Sequence, residues 1–275
     1  MKTTHVKSLA GILIGLYIGV CAGAWLIQDK LLYHPYTQPA DLAYAQRDVP
    51  AIEEVSYDNP AGGHSYAWLV KPGKQKKMVV FLHGNSCNIG CFIPWVEPFV
   101  SAGYGVFMIE YQGFGGLRGR LGQKTFEQDA LAGMAYLKRL GYQNKDIIIY
   151  GYSLGTYLAT FTAYTLGQEE PFDAVILEAP FTTLTDVAAD RVKNLLPVKW
   201  LMRDSYPSIR YISDVNTRLF IAHGKRDTTV PYELGMTLFQ TAKDPKMFFS
   251  SETATHTDLK RHGFTDAVLE WLSAR

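Results

Sequence analysis

The sequence predicts an α/β fold: a mostly parallel, eight-stranded sheet with helices on both faces. Two observations predict it. Eight short apolar runs alternate with helical patterns along the 275-residue chain, which is the rhythm of right-handed βαβ crossovers. Three of those runs, Met78–Leu82, Gly105–Ile109 and Ile147–Ile149, are almost continuously apolar, as parallel strands covered on both faces are. The first two runs have no helical pattern between them, and Asn59-Pro60-Ala61-Gly62-Gly63 reads as a hairpin turn. The sheet is therefore expected to begin antiparallel and become parallel.

The first element is apolar. Leu9 to Ile27 is 19 residues without a charge, preceded by Lys2 and Lys7. That length spans a hydrocarbon core as a helix, and the basic flank favours a cytoplasmic N-terminus with the remainder on the far side. The competing reading is a cleaved signal peptide, because Ala22-Gly23-Ala24 has the small-x-small form of a cleavage site. Trp25-Leu26-Ile27 prolongs the apolar run past that point and favours an uncleaved anchor. Both readings export the body: a single-pass membrane protein, or a secreted or periplasmic one. Residues 1–28 are thus an anchor or signal peptide, 29–50 a connector with Pro35 and Pro39, and 51–275 the α/β domain.

Within that domain the expected strands are Glu54–Tyr57, Ser65–Val70, Met78–Leu82, Gly105–Tyr111, Asp146–Tyr150, Ala174–Glu178, Arg218–Ala222 and Lys246–Ser250. The expected helices are Ile89–Ala102, Thr125–Leu140, Leu154–Leu166, Pro231–Thr241 and Leu259–Ser273. About 185–216 the rhythm breaks. That stretch holds the apolar piece Leu195–Met202 between charged flanks. It reads as a helix–turn packed on the body, or as a short lid or lipid-touching surface. It is too short for a large cap, so any site beneath it is fairly open.

Composition narrows the function. The apolar fraction is 47% and the charged fraction 19%, so the chain is globular rather than disordered. With 27 basic and 26 acidic residues the net charge is +1, which gives no electrostatic case for nucleic-acid binding. Cys87 and Cys91 are four apart where a helix is expected to begin. A disulfide is awkward at that spacing, and only His83 stands near in sequence to complete a metal site. Both read as ordinary thiols, and no metal or organic cofactor is implied.

The chemistry centres on Gly151-Tyr152-Ser153-Leu154-Gly155, which follows an expected strand and precedes an expected helix. Strand, G-x-S-x-G, helix is the layout of a nucleophile elbow. The serine occupies a sharp, strained turn, and side chains two residues to either side would crowd it. Functional residues of such sheets gather at the C-terminal ends of the parallel strands. Asp227 follows one strand and His256 another, giving the order Ser…Asp…His. Ser153, Asp227 and His256 are the expected nucleophile, acid and base. Glu178, at a strand end, is the rival acid, and His262 the rival base. Asp258 more naturally holds the His256 loop, and His83 and His223 brace strand ends. Attack on a carbonyl creates an oxyanion, which two aimed backbone N–H groups stabilise. Those of Leu154, after the nucleophile, and Asn85, in the loop His83-Gly84-Asn85-Ser86, are the expected donors.

Taken together these residues resemble the α/β-hydrolase superfamily. More narrowly, the chain resembles the membrane-anchored, small-lid serine hydrolases whose eukaryotic members include protein depalmitoylases. The marks are Leu31-Leu32-Tyr33-His34-Pro35, His83-Gly84-Asn85, Glu110-Tyr111-Gln112-Gly113-Phe114-Gly115, the serine motif, Asp227 before Val230-Pro231, and His256-Thr257-Asp258. Two positions depart: Ala254-Thr255 stands where relatives place glycine before the histidine, and Gln112 where they often carry arginine. The resemblance implies an α/β-hydrolase fold with a short lid. The expected reaction is hydrolysis of a carboxylic ester or thioester through an acyl-enzyme, on a small or lipid-like acyl substrate. The alternatives are a prolyl-peptidase-like serine peptidase and a non-catalytic membrane-anchored scaffold.

Overall fold

The computed structural model describes residues 2–60, 63–74 and 76–274. Eight strands form the main sheet: β1 (Glu53–Tyr57), β2 (Ser65–Val70), β3 (Met78–Leu82), β4 (Gly105–Ile109), β5 (Ile147–Tyr152), β6 (Ala174–Glu178), β7 (Leu219–Gly224) and β8 (Lys246–Ser251). Their spatial order is β1-β2-β4-β3-β5-β6-β7-β8. β1 and β2 are antiparallel, β2 meets β4 antiparallel, and every pair from β4 to β8 is parallel. Ala61 and Gly62 of the expected hairpin turn lie outside the described residues.

The continuously apolar strands are covered twice, as their sequence requires. In β3, Val80 and Leu82 enter one core while Val79 and Phe81 enter the other. In β5, Ile147 and Ile149 face the first core, and Ile148 and Tyr150 the second. Five main helices close these layers: α2 (Ile93–Ser101), α3 (Gln123–Arg139), α4 (Leu154–Leu166), α7 (Tyr232–Thr241) and α8 (Phe264–Ser273). Helices α3, α4 and α7 cover the first core, and α2 and α8 the second. In α8 the buried residues Phe264, Val268 and Leu272 recur every four positions, the stripe that a one-sided helix buries. The helix expected over Leu259–Ser273 is broken by Gly263 at φ 83°. A left-handed residue there separates a 3-10 turn, Leu259–His262, from α8.

The cysteines differ from the sequence expectation: Cys87 and Cys91 form a disulfide and are not free thiols. The expectation took this stretch as the beginning of a helix. Cys87 instead lies in a two-residue strand, Ser86–Cys87, paired in parallel with His34–Pro35, at φ 68°. Asn88 then caps a 3-10 turn, Ile89–Phe92, that carries Cys91. With the first cysteine outside the turn, the Cα atoms stand 6.3 Å apart, within the reach of a disulfide.

The N-terminal segment is one 31-residue helix, α1 (Lys2–Leu32). Leu9–Leu32 is long and apolar enough to cross a membrane. The stretch between β6 and β7 holds α5 (Leu184–Arg191) and a single turn, α6 (Val198–Leu201). This lid packs on the body and also on α1. Gln28 Nε2 donates to the Leu201 carbonyl at 3.2 Å, and Arg203 pairs with Asp29 at 2.6 Å.

Candidate active site

Ser153 joins β5 to α4 at φ 52°, ψ −118°, a backbone conformation that side chains rarely adopt. Its flanking glycines are sterically required. A Cβ on Gly155 would lie 1.9 Å from the Leu82 carbonyl oxygen, and one on Gly151 would lie 2.4 Å from that of Gly155. Hydrogen bonds over-determine the turn. The Ser153 N–H donates to the Glu178 carbonyl at 2.9 Å, and the Thr156 N–H and hydroxyl both donate to the Ser153 carbonyl.

Two long-range contacts converge on this serine. His256 Nε2 lies 3.0 Å from Ser153 Oγ, and His256 Nδ1 lies 2.7 Å from Asp227 Oδ2. An ionised carboxylate only accepts, so Nδ1 carries the proton and Nε2 presents a lone pair to the serine. The Asp227 side chain is fully buried. Burial alone would raise its carboxyl, but hydrogen bonds from His223 and His256 and from the Val230 N–H outweigh that, helped by the attraction of His256 whenever it is protonated. Together they hold it well below the usual carboxylate range. Its other oxygen accepts from the Thr229 and Val230 N–H groups at 2.7 and 2.8 Å, fixing the carboxylate plane.

A cavity of about 130 Å³ opens beside Ser153, and Asn85 and Leu154 line it with the serine. The Leu154 N–H belongs to the first turn of α4, where no intrahelical acceptor exists. Gly84 lies against Ser153: a Cβ there would stand 3.4 Å from the Ser153 Cβ, an ordinary van der Waals contact. The loop is tethered to the end of α1: the Asn85 side chain donates to the Leu32 carbonyl at 2.6 Å, and the His34 N–H to the Asn85 carbonyl at 2.9 Å. Leu31, Leu32 and His34 also line the cavity, facing Leu184, Val187 and Ala188. Sequence reasoning missed this wall. The only signal was the Leu31–Pro35 motif, which carried the family resemblance but no spatial information.

The rival residues have other partners. Glu178 is buried on Tyr150 Oη and, at 3.1 Å, Trp95 Nε1, and burial pushes its carboxyl up to about 7 against those two bonds. His262 lies 3.8 Å from Asp258, whose Oδ1 accepts from the Thr255 N–H, so Asp258 holds the loop. His83 is buried between Glu110 and the Gly84 carbonyl, stacked on Tyr111. His223 sits behind the acid, with Nε2 3.2 Å from Asp227 Oδ2 and 3.0 Å from the Val230 carbonyl. Tyr152 donates to the His256 carbonyl at 3.2 Å, so it braces the loop that lacks the glycine of the resemblance. Gln112 ties its loop together, donating to the His64 carbonyl and accepting from the Gly119 N–H. Among the described residues no group of three or more His, Cys, Asp or Glu side chains is placed to hold a metal ion.

Residues 73–215 match the family model described as serine aminopeptidase, S33. The chain belongs to this family of α/β-hydrolases. It is similar over 99% of its length to a protein of Mycobacterium tuberculosis described as uncharacterized, at 28% identity and covering 97% of that protein. Human alpha/beta hydrolase domain-containing protein 17B is 27% identical over 82% of this chain and 77% of its own. A lysophosphatidylserine lipase of Danio rerio is 32% identical, over 62% of this chain and 48% of the lipase. Among solved structures, the Pyrococcus furiosus esterase Pf2001 superposes with a TM-score of 0.70 at 18% identity, over 87% of this hydrolase and 98% of the esterase. That likeness shows the fold.

Proposed function

We propose that this hydrolase cleaves a carboxylic ester or thioester through Ser153, His256 and Asp227, with an acyl-enzyme intermediate. The carrying observation is the unbroken chain from Ser153 Oγ to His256 Nε2 at 3.0 Å and from His256 Nδ1 to Asp227 at 2.7 Å. His256 takes the serine proton as Oγ attacks the carbonyl carbon. Asp227 holds the reactive tautomer and stabilises the imidazolium. The Leu154 and Asn85 N–H groups receive the oxyanion. His256 then protonates the leaving alkoxide or thiolate, and water repeats the attack on the acyl-enzyme with His256 again as base. The apolar wall of Leu31, Leu32, Phe181 and Leu184 favours an apolar acyl group. The lipase and esterase names of two relatives point the same way.

The family description favours a second reading, an aminopeptidase. Such an enzyme needs an anionic group to hold the substrate's ammonium terminus. No Asp or Glu is among the residues lining the Ser153 cavity, and the charged residue there is Arg191. We therefore favour the ester reading. Turnover of p-nitrophenyl acyl esters across chain lengths, comparing wild type with Ser153→Ala, tests it; equal rates in both would sink the serine mechanism.

We also infer that α1 is an uncleaved membrane anchor with the catalytic domain on the exported side. Its large apolar side chains are exposed along the span, and its C-terminal end forms part of the Ser153 cavity. The Cys87–Cys91 disulfide supports an oxidising compartment. Resistance of the full chain to alkaline extraction from membranes tests the anchor.

A further inference from the structure

We propose that the lid and α1 together form a lateral port in the bilayer, through which the acyl chain of a membrane lipid reaches Ser153. This rests on the ester-hydrolase reading and goes beyond it, naming where the substrate resides and how it arrives. Three observations carry it.

The lid runs back along the apolar span. Gln28 ties to Leu201 and Arg203, and Tyr17 Oη donates to the Leu195 carbonyl at 3.1 Å. Tyr17 precedes Gln28 by eleven residues, so the lid follows α1 for roughly 16 Å at about 1.5 Å per residue. Any bilayer that surrounds the span surrounds the lid tip as well. The bonding also suits lipid. Backbone carbonyls there find no water, and two polar side chains of α1, Tyr17 and Gln28, each cover one.

The lid exposes two large apolar side chains among charged ones. Trp200 is 89% exposed and Leu195 73%, an arrangement that leaves a large aromatic and a leucine facing outward beside an uncovered apolar helix. Lys193 and Lys199 flank them and are exposed.

The groove beneath adjoins the active site. A second cavity of about 340 Å³ lies between α1 and the lid, lined by Ala24, Gln28, Val192, Leu196 and Met202. It shares Leu31, Leu32, Ala188 and Arg191 with the smaller cavity at Ser153. Arg191 is exposed and lines both cavities. An apolar tail lying in this groove places its carbonyl end toward Ser153 and its far end at Ala24, within the span.

The test uses the full chain in phosphatidylcholine vesicles. Monooleoylglycerol in the bilayer and p-nitrophenyl butyrate in solution are the two substrates, and their rate ratio is the readout. Ala24→Phe fills the groove away from Ser153, and the ratio of lipid to soluble hydrolysis is expected to fall about tenfold. An unchanged ratio overturns the port. Bromine-labelled acyl chains provide a readout free of catalysis. The fluorescence lost on Trp200→Phe is expected to be the share that these lipids quench, and an unquenched Trp200 overturns the membrane seat of the lid. If wild type hydrolyses neither substrate, the ester-hydrolase reading falls and the lipid port with it. Quenching of Trp200 would then show separately whether the lid still sits in the bilayer.

Discussion

Replacing Asp227 by asparagine probes the site at the level of a single proton. Four donors converge on the carboxylate: His256 Nδ1, His223 Nε2 and the backbone N–H groups of Thr229 and Val230. An amide offers one oxygen. The two backbone donors are fixed and will hold that oxygen, so the amide NH₂ turns to the histidines. His256 must then accept at Nδ1 and carry its proton on Nε2, which lies 3.0 Å from Ser153 Oγ. A protonated Nε2 cannot take the serine proton. The same substitution in a chymotrypsin-type triad costs about 10⁴ in kcat, and a loss of about 10³–10⁴ is expected here, roughly 4–5.5 kcal/mol at 1.36 kcal/mol per tenfold. Stability changes as well. Asp227 is held below its unfolded value, so its contribution is present above the ordinary carboxylate range and is lost only as pH falls through the folded value. The asparagine variant forgoes it at neutral pH, so rates must be compared below its unfolding temperature. The assay is kcat/KM on p-nitrophenyl butyrate near neutral pH, with circular dichroism as the fold control. A folded variant within tenfold of wild type would refute the role of Asp227.

Three further outcomes follow from the geometry. Gly155→Ala drives a Cβ to 1.9 Å from the Leu82 carbonyl oxygen and is expected to cost more than about 3 kcal/mol, read by urea unfolding or as insoluble protein. Glu178 is raised by burial from 4.5 to about 7, so its native form binds a proton more tightly than the unfolded chain does. Stability should therefore fall by up to about 3 kcal/mol as pH rises from about 4.5 through about 7, and Glu178→Gln should remove that part of the slope; an unaltered slope contradicts the assignment. Tyr152→Phe removes the bond to the His256 carbonyl, worth about 1 kcal/mol, and should lower kcat severalfold without changing the acyl-chain preference.

Much of the site was legible because its residues answer to local rules. The glycines around Ser153 are dictated by a turn within five residues, and the sequence shows them directly. Asp227 and His256 each follow a strand, so strand order alone brings them to one edge of the sheet. What stayed hidden depends on distant packing. Leu31 and Leu32 wall the cavity opposite α5, some 150 residues away, and no periodicity encodes that meeting. The role of Tyr152 is not visible in the motif because its partner, the His256 carbonyl, lies 104 residues on. The Cys87–Cys91 bond was misjudged for a local reason: the positive φ at Cys87 takes it out of the helix, and cysteine gives no hint of that conformation.

The measurement closest to the central claim is covalent labelling of the folded full-length protein by a fluorophosphonate probe, with the adduct mapped by peptide mass spectrometry. The account predicts one adduct, on the peptide containing Ser153, absent from Ser153→Ala and strongly slowed in Asp227→Asn. A folded wild-type protein that remains unlabelled, or that is labelled at another residue, would contradict it.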